Sequence, residues 1–300
     1  MIKKKNLYFI KIEIKVSIIK IKINNDEKEL NFLNDFLFHK MFGEKGCEED
    51  TLELVNIITG EKFRFLDFKS TEMYGKHEGN KKSVTDVMTI TNDGTVISIE
   101  AQIKEQEEFH KRSHFYHSRI FSILLEIGDD YDKLPKIIMI NLLDFDLHEL
   151  EDYHTIFTLC EKKHKYILDD ITETHYIELP KFRTKIKKGN IDLSDPKIRL
   201  MLILDNQTNE NLFKKVIEMD EYANNLYEKA KHVLQDKASY LEYIRAEHAE
   251  LDRKAELKFA DKKGRDEEKK EIATRMKNKG YSIEDIVEIT GLTPEVIEKL

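Results

Sequence analysis

The residues with the plainest chemical potential are Asp86, Glu100 and Gln102. They lie on two β-patterned runs, VTDVMTIT (84–91) and TVISIEAQI (95–103), joined by the tight-turn signal Asn92-Asp93-Gly94. With those three residues as the loop, Thr91 pairs with Thr95, and counting outward sets Asp86 opposite Glu100 on one face. Directly opposed residues have Cβ atoms about 4.5–5.5 Å apart, and Gln102 points the same way two residues on. Facing carboxylates repel, and a hard divalent cation reverses the sign of that repulsion. Mg²⁺ takes oxygen ligands at about 2.0–2.1 Å, often only one or two of them carboxylates. Such an ion lowers the pKa of a bound water and stabilises charge growing on phosphorus. The plainer alternative is that Asp86 and Glu100 merely line the solvent face of a sheet. A two-residue loop would also shift the register by one and part the pair.

The elements that must position these residues are readable from periodicity. On the returning strand Ile97, Ile99, Ala101 and Ile103 share one face, and Val96, Ser98, Glu100 and Gln102 share the other. A helix capped by Asn31 or Asn34 is expected through Phe42, with Leu33, Phe36, Leu37 and Met41 on its apolar side. A second is expected over 48–59, on a stripe of Leu52, Val55 and Ile58 or Thr59, with Gly60 as its stop. A long amphipathic helix follows over about 104–127, closed by Gly128. KIIMINL (136–142) reads as a central strand buried on both sides, and another strand is expected at 175–179, before Pro180. From Lys197 the chain is mostly helical. Residues 222–279, dense in Lys, Glu and Ala, read as long exposed helices. The run 8–23 alternates Ile or Val with Lys or Glu, as a one-faced strand does, and equally fits an N-terminal extension.

The whole composition bounds these readings. Three hundred residues fit one large or two medium domains at roughly 100–200 residues each. Charged residues reach 36% against a usual share of about 25%. Hydrophobic residues, at 40%, still suffice for a sizeable core. The net charge of -8 suits no DNA-coating protein, which needs clustered Lys and Arg, yet an acid cluster awaiting metal is itself negative. Cys47 and Cys160 are the two cysteines, too few for a disulfide framework or zinc site, which fits a cytoplasmic location. No stretch approaches the ~20 apolar residues of a membrane span. Lysines at 11, 15, 20 and 22 interrupt any signal-like apolar block.

Taken in order, NDFLFHKMF (34–42), Asp86, IEAQ (99–102) and FHKRSHFY (109–116) resemble the Rpn family of recombination-promoting nucleases and transposases, within the PD-(D/E)XK nuclease superfamily. The resemblance covers roughly residues 31–300. It implies an α/β restriction-endonuclease-like core, a mixed central sheet flanked by helices, with a helical C-terminal extension. It implies a metal-dependent DNA endonuclease that promotes recombination or transposition, with Mg²⁺ or Mn²⁺ held by Asp86, Glu100 and the Ala101 carbonyl. Gln102 stands where the superfamily pattern has Lys; a neutral amide can only hydrogen-bond, so more of the activation rests on metal. The family's first-helix acid corresponds to Asp35, which reads equally as an acid at a helix's positive end. Arg112 and Tyr116, four apart on one helix side, match the downstream helix. Arg112 is then a phosphate contact or a structural partner of the acids. The expected organisation is 1–30 as extension or strand, 31–200 as nuclease-like domain, 201–279 as charged helices and 280–300 as a short helix-turn-helix-like unit. A non-catalytic DNA-binding or assembly protein on a degenerate nuclease scaffold is the rival reading, and homo-oligomerisation through the C-terminal helices fits either.

Other candidates are weaker. His110 and His114 have the i, i+4 spacing of a metal pair but no HExxH and no third ligand. GEKG (43–46) lacks the Lys-Ser or Lys-Thr of a phosphate loop. The cysteines lack a partner base and read as packed thiols. In the last twenty residues Ser282 starts a capping box, Gly291 stops a helix, and Thr293-Pro294 opens another. That unit suits DNA reading in outline, but Glu295 and Glu298 with the single Lys299 favour packing or oligomerisation.

Overall fold

The computed structural model describes residues 20–23, 26–69, 85–104, 108–124, 130–189 and 191–300. Most of the 8–23 run lies outside them; its end forms β1 (Lys20–Ile23), paired antiparallel with β2 (Asp26–Glu29). The Asn34 side chain accepts from the Phe36 and Leu37 amides and so starts α1 (Asp35–Phe42). That helix buries Leu37, Phe38, Met41 and Phe42. Helix α2 (Glu48–Thr59) ends at Gly60 with φ 79°, a left-handed conformation open to glycine without a Cβ clash. Its buried stripe is Thr51, Leu54, Val55 and Ile58. The expected stripe through Leu52 is thus rotated by one or two positions.

The main sheet joins β3 (Leu66–Phe68), β4 (Val87–Thr91), β5 (Val96–Gln102), β6 (Ile137–Leu143), β8 (Thr172–Glu178) and β7 (His154–Phe157), in that spatial order. Strands β5, β6 and β8 run parallel, whereas the pairs at either edge are antiparallel, so the sheet is mixed. Every residue of β6 is buried, as its unbroken apolar run requires of a central parallel strand. Joining β5 to β6 in parallel takes a crossover, and α3 (Phe109–Leu124) supplies it. Ile120 of α3 packs on Met88, Val96, Ile137 and Met139, with Tyr116 and Phe121 beside them. The helix expected from residue 104 begins later: Ile103 and Lys104 are bends, and Glu108 has φ 64° just ahead of the first turn. Residues 105–107 and 125–129, including Gly128, lie outside the described set.

Beyond the sheet, α4 (Leu179–Lys187), α5 (Pro196–Leu204), α6 (Glu210–Met219) and α7 (Glu221–Gln235) follow; α1 packs on α2 and α7. The chain divides into two compact units after Tyr243. Helix α8 (Lys237–Asn278) is held by exposed i, i+4 ion pairs such as Asp261–Arg265 and Glu271–Arg275, each worth only about 0.3–0.5 kcal/mol. In the second unit α9 (Ile283–Thr290) and α10 (Pro294–Glu298) bury Ile286 and Ile297 against Ala273 of α8. Ser282 caps α9, and Gly291 ends it at φ 66°. Among the described residues no helix is long and apolar enough to cross a membrane.

Candidate active site

The β4–β5 turn decides the geometry. The Thr91 amide donates to the Thr95 carbonyl at 2.9 Å, and Gly94 takes the left-handed conformation at φ 87°. Asp93 accepts from the Thr95 amide at 3.1 Å and from the Thr91 hydroxyl. The loop therefore has three residues. The ladder then runs Ile90 to Val96, Thr89 to Ile97, Met88 to Ser98 and Val87 to Ile99. One further step outward sets Asp86 opposite Glu100.

Asp86 is half-buried, and its Oδ2 accepts from the Ala101 amide at 2.8 Å. Even-numbered residues of β5 bond to β6: the Val96 amide donates to Lys136, and the Gln102 carbonyl accepts from Asp144. The Ala101 peptide groups therefore point to the Asp86 side. Desolvation above all, helped by Glu100 and Asp35 and opposed by the Ala101 hydrogen bond and Arg112, pushes the Asp86 carboxyl up to about 7. Glu100 is 3% exposed, and burial holds its pKa above the ordinary carboxylate value in spite of Arg112.

Arg112 arrives from α3. Its Nη2 donates to Glu100 Oε2 at 3.3 Å and to Gln102 Oε1 at 3.1 Å. The guanidinium carbon lies 5.3 Å from the ring centres of both Phe109 and Tyr116, spaced i−3 and i+4 from it on the helix. Tyr116 is near enough to the acids that Glu100 and Asp86 add to the upward shift that burial imposes on its hydroxyl. Asp35, exposed in the first turn of α1, reaches the same cluster through its field at Asp86.

Asp86, Glu100, Ala101, Gln102, Arg112, Tyr116 and Asp35, drawn from four separate stretches of sequence, thus converge. His39 was not anticipated. One turn after Asp35, its Nδ1 lies 3.4 Å from the Asp86 carbonyl. Its i, i+4 spacing from Asp35 was the available signal. Gly43 leaves room for that ring: a Cβ there would stand 2.5 Å from His39 Nδ1.

A family model described as PD-(D/E)XK nuclease family transposase matches residues 32–260. The chain belongs to this family. No curated protein and no solved structure matches it. Membership agrees with the mixed sheet and its flanking helices, and bears out the resemblance read from the ordered motifs. Divalent metals are general among PD-(D/E)XK nucleases. Among the described residues no three His, Cys, Asp or Glu side chains gather as a ready ligand set. The fit to a cation rests instead on the Asp86–Glu100 pair. Oε1 of Glu100 is buried and has no hydrogen-bond partner among the described residues, an unfavourable state for a carboxylate oxygen. That oxygen, the neighbouring Asp86 carboxyl and a backbone carbonyl suit a hard cation.

Proposed function

We propose that this PD-(D/E)XK family member is a metal-dependent DNA endonuclease that hydrolyses phosphodiester bonds at the Asp86–Glu100 site. The observation that supports this most is the buried Oε1 of Glu100, without a hydrogen-bond partner among the described residues, beside a second carboxyl held near neutral pKa. Asp86, Glu100 and the Ala101 carbonyl would hold Mg²⁺, with Mn²⁺ as a substitute. When bound, such a cation supplies charge stabilisation at phosphorus and acidifies water.

The protein's own groups do the positioning. Gln102 turns its amide oxygen to Arg112, and its side chain would orient a water beside the acids. Arg112, stacked between two rings, is preorganised to receive a phosphate oxygen. Asp35 adds negative charge at the rim, which strengthens cation capture. Tyr116 confines Arg112 and limits water at its inner edge. Cut ends would then feed recombination or transposition, in the cytoplasm. Homo-oligomerisation would run through the C-terminal helices, where Leu251, Leu257 and Phe259 are exposed.

The test is plasmid nicking with Mg²⁺, Mn²⁺ or EDTA, on wild type and on Asp86→Ala and Glu100→Ala proteins shown to be folded. Metal-dependent nicking lost in both variants is the expected result. Equal nicking in wild type and variants would reject the site. Metal-independent DNA binding without any nicking would favour the non-catalytic scaffold, the reading that Gln102 in the lysine position supports.

A further inference from the structure

The sheet face that presents Glu100 continues beyond the acids. Partners across the ladder run from Glu100 to Asn141, Tyr176 and Thr155. Two strand spacings put Tyr176 roughly 10 Å from Glu100 along this row. Past Tyr176 the face opens into a groove of about 660 Å³ between α3 and the β8–β7 edge. His110 and His114 line its helical wall, Thr174 and Tyr176 its floor, and Phe157 and Leu159 its outer side. Phe157 is 44% and Leu159 53% exposed, so apolar surface faces solvent here. The Phe157 ring stands edge-on to Tyr176 at 5.6 Å.

The same edge carries a β-ribbon. Leu168 donates to the Leu159 carbonyl at 3.0 Å, Glu161 to the Tyr166 carbonyl at 2.8 Å, and Cys160 bridges Ile167. Its tip, Lys162-Lys163-His164-Lys165, is exposed. The one acid there, Glu161, is turned onto the loop and accepts from the Lys163 amide at 2.9 Å and the His164 amide at 2.5 Å. In a chain of net charge -8 this is a concentrated basic tip beside an aromatic groove.

We propose that the groove and ribbon hold an unpaired stretch of DNA strand flanking the scissile phosphate, with a base against Phe157 and phosphates on Lys162, Lys163 and Lys165. This rests on the nuclease reading and names the form of its substrate. An exposed aromatic ring beside lysines makes a sequence-tolerant single-strand site, because every base offers a π face once it leaves the stack. A duplex keeps those faces covered. Pairing of two copies edge to edge is disfavoured by the lysines beside β7.

The test is fluorescence anisotropy in EDTA, where nothing is cut, with a labelled single strand, its duplex and a splayed duplex. Wild type should prefer the single-stranded and splayed probes by at least about tenfold. The Lys162→Glu, Lys163→Glu, Lys165→Glu triple variant should weaken single-strand binding at least about tenfold. It should also flatten the log–log salt dependence by about 2, at roughly 0.7 per phosphate. Phe157→Ala should lose about tenfold on single strands and little on duplex. All four side chains are exposed, so the fold should tolerate these changes. Unchanged single-strand binding in the variants, or equal affinity for duplex, overturns the proposal. So does a Phe157→Ala loss of dimer on gel filtration with DNA binding intact, which marks the edge as self-associating. Groove-dependent binding without nicking by wild type defeats the nuclease reading alone; nicking with variant-independent binding defeats the groove alone.

Discussion

Nη2 of Arg112 lies 3.1 Å from Oε1 of Gln102, so a helix donor reaches the strand position at which the PD-(D/E)XK pattern has a lysine. A cationic group thus comes to this position from α3, and the same nitrogen touches Glu100. Arg112→Ala should therefore cut the nicking rate by roughly 10²–10³, the usual loss for one preorganised donor to developing charge. Arg112→Lys should recover only part of it, because an ammonium neither stacks as flatly between Phe109 and Tyr116 nor forks between two acceptors. Nicking rates at saturating metal check both.

Gln102→Lys restores the superfamily pattern and should preserve or raise cleavage. Its ammonium would have Glu100 close by, although it must also share space with Arg112. Cleavage abolished in this variant, with the fold intact by circular dichroism, would contradict the water-orienting role given to Gln102.

Asp86 should stabilise the metal-free protein most when it is uncharged. Its folded pKa of about 7 lies above the ordinary value of 3.8, so its contribution is fully present below 3.8 and lost as pH rises through 7. Asp86→Asn keeps an oxygen for the Ala101 amide and removes the buried charge. It should raise stability by roughly 1–2 kcal/mol near pH 8 and change little near pH 4. Urea midpoints at the two pH values, in EDTA, measure the difference.

Acid should weaken the sheet's far edge. His154 Nε2 lies 2.9 Å from His175 Nδ1, and Lys197 Nζ is 3.2 Å from the other His154 nitrogen. His175 continues to Glu173 at 2.6 Å, which also pairs with Lys136 at 2.8 Å. Desolvation, then Lys197 and His175, hold the His154 pKa down to about 3. The unfolded chain binds that proton near 6.5, so this contribution is full above about 6.5 and falls as pH drops toward 3. His117, lowered to about 4 chiefly by burial, adds in the same direction. A His154→Gln protein should lose about 1 kcal/mol less than wild type between roughly pH 7 and pH 5. Denaturant titrations at both pH values show it.

The site was legible where local rules act alone. Asn92-Asp93-Gly94 fixes the loop length, which fixes the register, which sets Asp86 across from Glu100. Asn34, Gly60, Ser282 and Gly291 marked helix ends because capping is a matter of one or two residues. What long-range packing decides was not legible. The three-residue β3 and the edge strand β7, half-exposed in the pattern of HTIF, have too little periodicity to stand out. The α2 stripe was misplaced because Thr51, whose hydroxyl donates to the Phe42 and Cys47 carbonyls, is buried as though apolar. The i, i+4 spacing puts His39 on the Asp35 side of α1, but that this side packs toward Asp86 is a tertiary fact.

Calorimetric titration of the metal-free protein with Mn²⁺ near pH 7, in two buffers of different ionisation enthalpy, tests the paired-acid site most directly. One site should appear, with fractional proton release as Asp86 ionises, and Glu100→Ala should weaken it at least about tenfold. No binding, or binding unchanged in Glu100→Ala, would contradict the account.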